Sequence, residues 1–193
     1  MQHISLVNVA HNLISEALRP GDIAVDATVG NGHDTAFLME QVSPSGRVFG
    51  FDIQQSAIAL TSMKVTSECL TLIQASHALM DEKIPKQHHG NISAIMFNLG
   101  YLPGGDKSII TQTASTLTAL TVACGLLADD GIITVMAYSG HSGGDVETGQ
   151  VDDWCKQLDP KQFDVRIFYS VGNRDSTPRL FVISKHSKGT CMK

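Results

Sequence analysis

An apolar strand, Ile23-Ala24-Val25, runs into Asp26 and then into a small-residue turn carrying Gly30 and Gly32. A helix start follows, and a second strand, Arg47-Val-Phe-Gly-Phe, ends in Asp52, 20 residues beyond Gly32. Strand, glycine turn, helix, strand and acid in that order predict an open α/β sheet that holds an adenosine-containing ligand. The glycines let backbone approach the ligand, and the acid at the second strand's tip accepts hydrogen bonds from ribose hydroxyls.

The spacing narrows the ligand. A dinucleotide fingerprint, G-x-G-x-x-G, needs its third glycine for close helix–strand packing, and counting from Gly30 that position is Thr35. Counted from the acid, the segment reads Asp26-x-Thr28-x-Gly30-x-Gly32. It resembles motif I of the class I S-adenosylmethionine (SAM) methyltransferases, an acid followed by alternating small residues, with Thr28 in place of the first glycine. SAM has no phosphate, so the turn need only let the amino-acid end and the ribose lie against bare backbone. Asp26, Gly30, Asn31, Gly32, Asp34, Asp52 and Gln54 are the candidate cofactor-binding residues here. The competing reading is a tight βα turn that binds nothing.

At 193 residues the chain is expected to form one domain, residues 1–193, around a single sizeable core. Its 42% hydrophobic and 17% charged residues are ordinary for a globular protein. No apolar run approaches the ~20 residues that span a bilayer. No secretory signal is evident in Met-Gln-His-Ile-Ser, and a cytoplasmic protein is expected. Cys69, Cys124, Cys155 and Cys191 are scattered without a C-x-x-C pair, which points to incidental thiols in a reducing compartment. The net charge of −5 hides an asymmetry: residues 156–193 carry eight Lys/Arg and three acids, residues 1–155 six and sixteen. A basic end on an acidic body is compatible with a local phosphate-binding patch, or with ordinary surface placement.

Along the chain, apolar residues at helical spacing from Leu6 to Leu18 predict a helix stopped by Arg-Pro-Gly-Asp (19–22). Helices are further predicted over His33–Val42, from about Gln54 to Ser67, and from about Ser108 to Leu127. A last one follows the glycine-rich loop 139–144, through Trp154 to Leu158. The remaining strands are Leu70–Gln74, Ile92–Asn98, Ile132–Tyr138, Val165–Val171 and Leu180–Ser184. The βα alternation predicts a doubly wound, mostly parallel seven-stranded sheet. The last two strands leave no room for a helix between them, so the final strand is expected to run antiparallel.

Ligands of open parallel sheets bind beyond the carboxyl ends of the strands. Here those ends carry Asp52-Ile53-Gln54, Ser76-His77, Asn98, and Tyr138 with His141. Each could be a cap or turn former; together they outline a site. By resemblance to class I methyltransferases, Ser76 and His77 fall where the adenine is contacted. His88 and His89 read as solvated loop residues, and no zinc site is suggested.

Asn98-Leu-Gly-Tyr101 resembles motif IV of amino-group methyltransferases, Asn/Asp-Pro-Pro-aromatic, with Leu-Gly replacing Pro-Pro. The longer run Asn98-Leu-Gly-Tyr-Leu-Pro-Gly-Gly-Asp-Lys107, with Asp26–Thr35 and Tyr138-Ser-Gly-His-Ser-Gly-Gly144, is similar to a small bacterial family. Its members were first labelled rRNA methylases and later described as tRNA 5-(aminomethyl)-2-thiouridine methyltransferases. The resemblance implies SAM as methyl donor, the wobble uridine of a tRNA anticodon loop as substrate, and a homodimer. On that reading the candidate catalytic residues are Asn98 and Asp106, which would orient the amine, and Tyr101, which would pack on the uracil; Asp106, His141 and Tyr138 are candidate proton acceptors, His141 being best matched by the ordinary histidine pKa of ~6.5. Arg174 and Arg179, in the turn between the last strands, become candidate phosphate contacts. Three other readings stay open: a methyltransferase acting on rRNA or a small molecule, a non-catalytic SAM-binding RNA module, and, more distantly, an NAD-linked oxidoreductase.

Overall fold

A computed structural model describes residues 5–101, 104, 110–140, 143–170 and 177–187. The first helix, α1 (Leu6–Ala17), is capped by Ser5, whose side chain accepts from Asn8 N–H. The elements that follow are β1 (Ile23–Asp26), α2 (His33–Val42), β2 (Arg47–Asp52), α3 (Gln55–Lys64) and β3 (Leu70–Gln74). A 3₁₀ turn (His77–Leu79), the single-turn helix α4 (Met80–Lys83) and a second 3₁₀ turn (Lys86–His88) lead to β4 (Ile92–Asn98). The rest is α5 (Thr113–Leu126), β5 (Leu127–Ala137), α6 (Gly144–Cys155), β6 (Phe163–Tyr169) and β7 (Arg179–Lys185).

The sheet has seven strands in the order β3-β2-β1-β4-β5-β7-β6. The first five positions pair in parallel, and β7 runs antiparallel to both β5 and β6. This is the predicted doubly wound fold with its antiparallel last strand. Strand order reverses between β1 and β4, the switch point at which such sheets bind ligands. Register places Asp26 beside Met96 there, so the tip of β4 at Asn98 overhangs the turn after β1.

Alternation along the strands feeds two cores. Val25, Ile95, Phe97, Ile133 and Val135 face one side, under Leu120, Ala123 and Val151 of α5 and α6. Ala24, Ala94, Met96 and Met136 face the other, under Ile14 of α1 and Leu38 and Val42 of α2. Strands covered on both faces read as continuous apolar runs. No helix among the described residues is long and apolar enough to cross a membrane. Cys69, Cys124 and Cys155 are free thiols. Burial pushes Cys124 up to about 11 and Cys155 up to about 12, which leaves both unreactive at neutral pH.

Several boundaries differ from expectation by a few residues, and two of the differences have a visible cause. The helix predicted from about Ser108 begins at Thr113, because Ile110 pairs with Tyr101 in an isolated antiparallel bridge and Gln112 is extended. Ser108 itself lies outside the described residues. The strand predicted from Ile132 begins at Leu127, opposite Ile92. It then breaks register before Ile132, with Asp130 at φ 61° absorbing the bulge.

Gly32 shows why the turn after β1 needs its second glycine. It caps α2 at φ 77°, and a Cβ there would lie 2.5 Å from Thr61 Oγ1 and 2.9 Å from its Cγ2. The glycine admits both a left-handed turn and close packing of α3 on α2. Gly32→Ala is expected to cost about 2 kcal/mol in urea unfolding. Adding Thr61→Ala should recover part of that loss, with a coupling above ~0.5 kcal/mol; strictly additive losses would show that the clash is not the cause.

Candidate active site

Beneath the turn, Asp26 is fully buried. Its carboxylate accepts from Thr35 Oγ1 at 2.6 Å and from Thr28 N–H at 3.1 Å. Thr35, the residue that breaks the dinucleotide fingerprint, is thus the partner of the acid that opens motif I. Asp26 lines neither cavity and supports the turn from below. Gly32, packed on Thr61, is likewise outside both linings.

Above the turn, Asp52 Oδ2 accepts from Gly30 N–H at 2.9 Å and Oδ1 from Gln54 N–H at 2.8 Å. Each oxygen keeps a further lone pair, as hydroxyl recognition needs. Asp52, Gln54, Ser76 and His77 line one cleft of about 230 Å³, together with Gly30, Ile53, Asn98 and Tyr101. Ser76 caps the 3₁₀ turn that carries His77 by accepting from Ala78 N–H.

His77 is buried, edge-on to Phe97 at 5.8 Å, with Nδ1 3.3 Å from Ala27 O. A carbonyl can only accept, so Nδ1 carries the hydrogen. Burial lowers the His77 pKa, and the neutral ring leaves Nε2 as a bare acceptor, buried without a partner. An unpartnered acceptor in the cleft wall complements the exocyclic amine of an adenine, and the fixed carboxylate of Asp52 complements a ribose. These residues fit an adenosyl group.

A second cavity of about 640 Å³ opens on the other side of Asn98. It is lined by Asn31, His33, Asp34, Tyr138 and Val7 of α1, and it shares Thr28, Gly30, Asn98, Gly100 and Tyr101 with the first. The junction is held firmly. Asn98 N–H donates to Thr28 Oγ1 at 2.7 Å, and Asn98 Nδ2 donates to Asp34 Oδ2 at 2.6 Å. Thr28, in the position of motif I's first glycine, supplies a hydroxyl that glycine lacks.

The tetrapeptide after β4 has no prolines, and other bonds fix it. Gly100 N–H donates to Thr111 Oγ1 at 2.9 Å, and Thr111 N–H donates to Gly100 O at 2.8 Å. Thr111 Oγ1 donates in turn to Glu147, which also accepts from Thr116 at 2.7 Å and is 97% buried. Leu99 N–H donates to Met136 O at 2.8 Å. Thr111 and Glu147 were not singled out in the sequence, because their role depends on pairing between elements far apart in the chain.

Asp106 and His141 lie outside the described residues, as does Arg174. Arg179 has an internal partner where a phosphate contact was expected. Its side chain is 19% exposed, Nη1 is 3.9 Å from Asp152, and its guanidinium sits 5.8 Å above the Tyr169 ring. His88 and His89, expected as solvated loop residues, are half-exposed: His88 tilts against Phe49 at 5.6 Å, and His89 Nε2 meets Ile84 O at 3.0 Å. Among the described residues no His/Cys/Asp/Glu cluster suits a metal.

A doubly wound sheet whose switch point carries an adenosyl-fitting cleft joined to a second cavity at an Asn-x-x-Tyr turn defines a class I methyltransferase, with SAM as cofactor. The chain belongs to the family described as "Putative rRNA methylase", whose model matches residues 48–185. It is 38% identical over 156 residues to the chloroplastic tRNA (mnm(5)s(2)U34)-methyltransferase of Arabidopsis thaliana. That match takes in 75% of this chain, which spans 56% of that relative's length. Two solved structures are similar over nearly their whole length. A Clostridium thermocellum protein described as a "putative rRNA-methylase" is 41% identical at a TM-score of 0.89, covering 96% of this chain and 100% of that one. A Streptococcus mutans protein described as "a putative methyltransferase", in complex with SAH, is 32% identical at 0.83, covering 95% and 99%.

Burial raises the pKa of Asp26 from 3.8 to about 7, and the charges of Asp34 and Asp52 add to the effect. Between those values the folded chain holds a proton that the unfolded chain releases. Stability from this group is full below pH 4, falls as pH rises towards 7, and is flat above. Asp26→Asn removes that slope. The stability difference between variant and wild type should shift in the variant's favour by on the order of 2 kcal/mol from pH 5 to 7.5, read by urea unfolding. Parallel curves would show that Asp26 is already ionised.

Proposed function

We propose that this chain methylates RNA, with the 5-aminomethyl group of a wobble uridine in a tRNA anticodon loop as acceptor and 5-methylaminomethyl as product. The observation that carries the reading is the junction at Asn98, where an adenosyl-fitting cleft meets a cavity wide enough for a nucleoside. The identity with the Arabidopsis tRNA enzyme and the Asn98–Lys107 run support the choice of tRNA.

When bound, SAM supplies an electrophilic methyl: the amine's lone pair forms the new N–C bond while the C–S pair passes to sulfur. The chain's part is to align nucleophile and methyl, where geometry alone contributes several orders of magnitude. Asn98 Oδ1 and the Leu99 carbonyl accept N–H bonds from the acceptor amine. Tyr101, 38% exposed on the shared wall, offers its ring to the uracil. Val7 and Tyr138, also partly exposed, complete an apolar rim of the kind that single-stranded bases stack on. An anticodon base is already unpaired, so presenting it costs little.

Asn98→Ala should lower kcat about a hundredfold while leaving SAM binding by calorimetry within a few-fold. The reading itself is tested by incubating the protein and SAM with total tRNA and total rRNA from cells lacking it, followed by nucleoside mass spectrometry. The expected outcome is loss of 5-aminomethyl and gain of 5-methylaminomethyl uridine in tRNA alone. The family description favours a second reading, an rRNA acceptor, and a methylated nucleoside appearing only in the rRNA arm would replace the first.

A further inference from the structure

His11 on α1 stacks flat on Phe37 of α2, with ring centroids 3.9 Å apart and planes 4° from parallel. Its Nε2 lies 2.7 Å from Asp34 Oδ1, and the two side chains are 26% and 13% exposed. Asp34 Oδ2 is the atom that receives Asn98 Nδ2 at 2.6 Å. One carboxylate therefore joins a histidine of the first helix to the asparagine at the cavity junction.

The chemistry of this chain of contacts fixes its polarity. An ionised carboxylate only accepts, so His11 must present Nε2–H and Asn98 must present its NH₂. The amide of Asn98 then has one orientation available, with Oδ1 turned away from Asp34. Without Asp34, either end of the amide could face the acceptor. Without His11, Asp34 loses the donor on its other oxygen and the contact that holds its rotamer. Val7, one helical turn before His11, lines the same cavity, so α1 presents both residues on one face. The described residues lining this cavity include no lysine or arginine.

We propose that His11 is a positioning residue of the acceptor subsite. Held by His11, Asp34 sets the Asn98 amide with its carbonyl oxygen towards the incoming nucleophile. The subsite thereby selects an acceptor that carries N–H bonds, a primary amine or alkylammonium, over one offering only a lone pair. The inference rests on the amine-acceptor reading and adds to it the device that enforces it. A bare asparagine would serve amide donors and amide acceptors alike; the dyad behind it removes that ambiguity.

Two variants separate positioning from packing. His11→Phe keeps an aromatic ring on Phe37 and loses the donor; His11→Gln loses the ring and restores an N–H to Asp34. In methyl transfer to tRNA lacking the modification, His11→Phe should lower kcat about 10- to 100-fold with the KM for SAM within twofold. His11→Gln should recover most of that loss. Independently of any substrate, the side-chain ¹⁵N–¹H signals of Asn98, assigned by their disappearance in Asn98→Ser, should move in His11→Phe and return in His11→Gln. Wild-type kcat in His11→Phe, equal losses in both variants, or amide signals unmoved by either would overturn the proposal. A wild-type protein inactive on every tRNA would sink the amine reading, and the Asn98 signals would then decide the positioning role alone.

Discussion

Beyond the ladder between β1 and β4, the hydrogen bond from Asn98 N–H to Thr28 Oγ1 at 2.7 Å ties the two strand tips together where strand order reverses. β1 and β4 are neighbours in the sheet but lie 66 residues apart in sequence, counting from the end of β1 at Asp26 to the start of β4 at Ile92. Ladder bonds alone would leave their tips free to splay beyond the last paired residues. The threonine hydroxyl closes that gap, so the turn that meets the cofactor and the turn that meets the acceptor move as one piece. Transfer of a methyl between two ligands depends on such a shared wall, because misplacement by an ångström costs about a hundredfold in rate.

The same need for stiffness is met differently at Leu99-Gly100. Proline would fix φ and remove N–H donors; here those donors are present and each is occupied. Leu99 N–H is taken by Met136 O, and Gly100 N–H by Thr111 Oγ1. Gly100 O is taken by Thr111 N–H. Glu147, reached through the Thr111 hydroxyl, anchors the turn to α6. A loop of this kind is held by hydrogen bonds that cost a full desolvation penalty when one partner is removed. Rigidity has moved from the covalent chain to a buried network, which also frees position 100 to adopt φ 134°, a value closed to proline.

Much of this was legible in the sequence where the signal is periodic or local. The strands β3 and β4 and the helix α2 fall on their expected residues, because apolar runs and a glycine turn declare themselves in a short window. Asp52, Ser76, His77 and Asn98 were found because strand tips follow from strand ends. What escaped depends on pairing across the fold. His11 reads as an ordinary position on an amphipathic helix, and Glu147 as one more acid in a polar helix start. The bridge between Tyr101 and Ile110 that delays α5 leaves no trace in propensity. Asp26 and Gly32 were identified by motif, yet the motif alone does not say that one works from beneath the turn and the other against Thr61.

Charge ties these parts together. Asp26, Asp34 and Asp52 gather around one small turn, close enough that the other two help hold the proton on Asp26 to about pH 7. Such crowding is unfavourable in the empty protein and favourable towards cations, and each carboxylate is committed to a different task. Asp26 is spent on Thr28 and Thr35, Asp52 on two backbone N–H groups with lone pairs to spare for hydroxyls, Asp34 on His11 and Asn98. A sulfonium donor brings positive charge to this place, as would the alkylammonium form of the proposed acceptor, so binding relieves repulsion that folding has to tolerate. RNA phosphates could not approach the same carboxylates, which requires that only the base and its side arm enter while the backbone stays outside the rim.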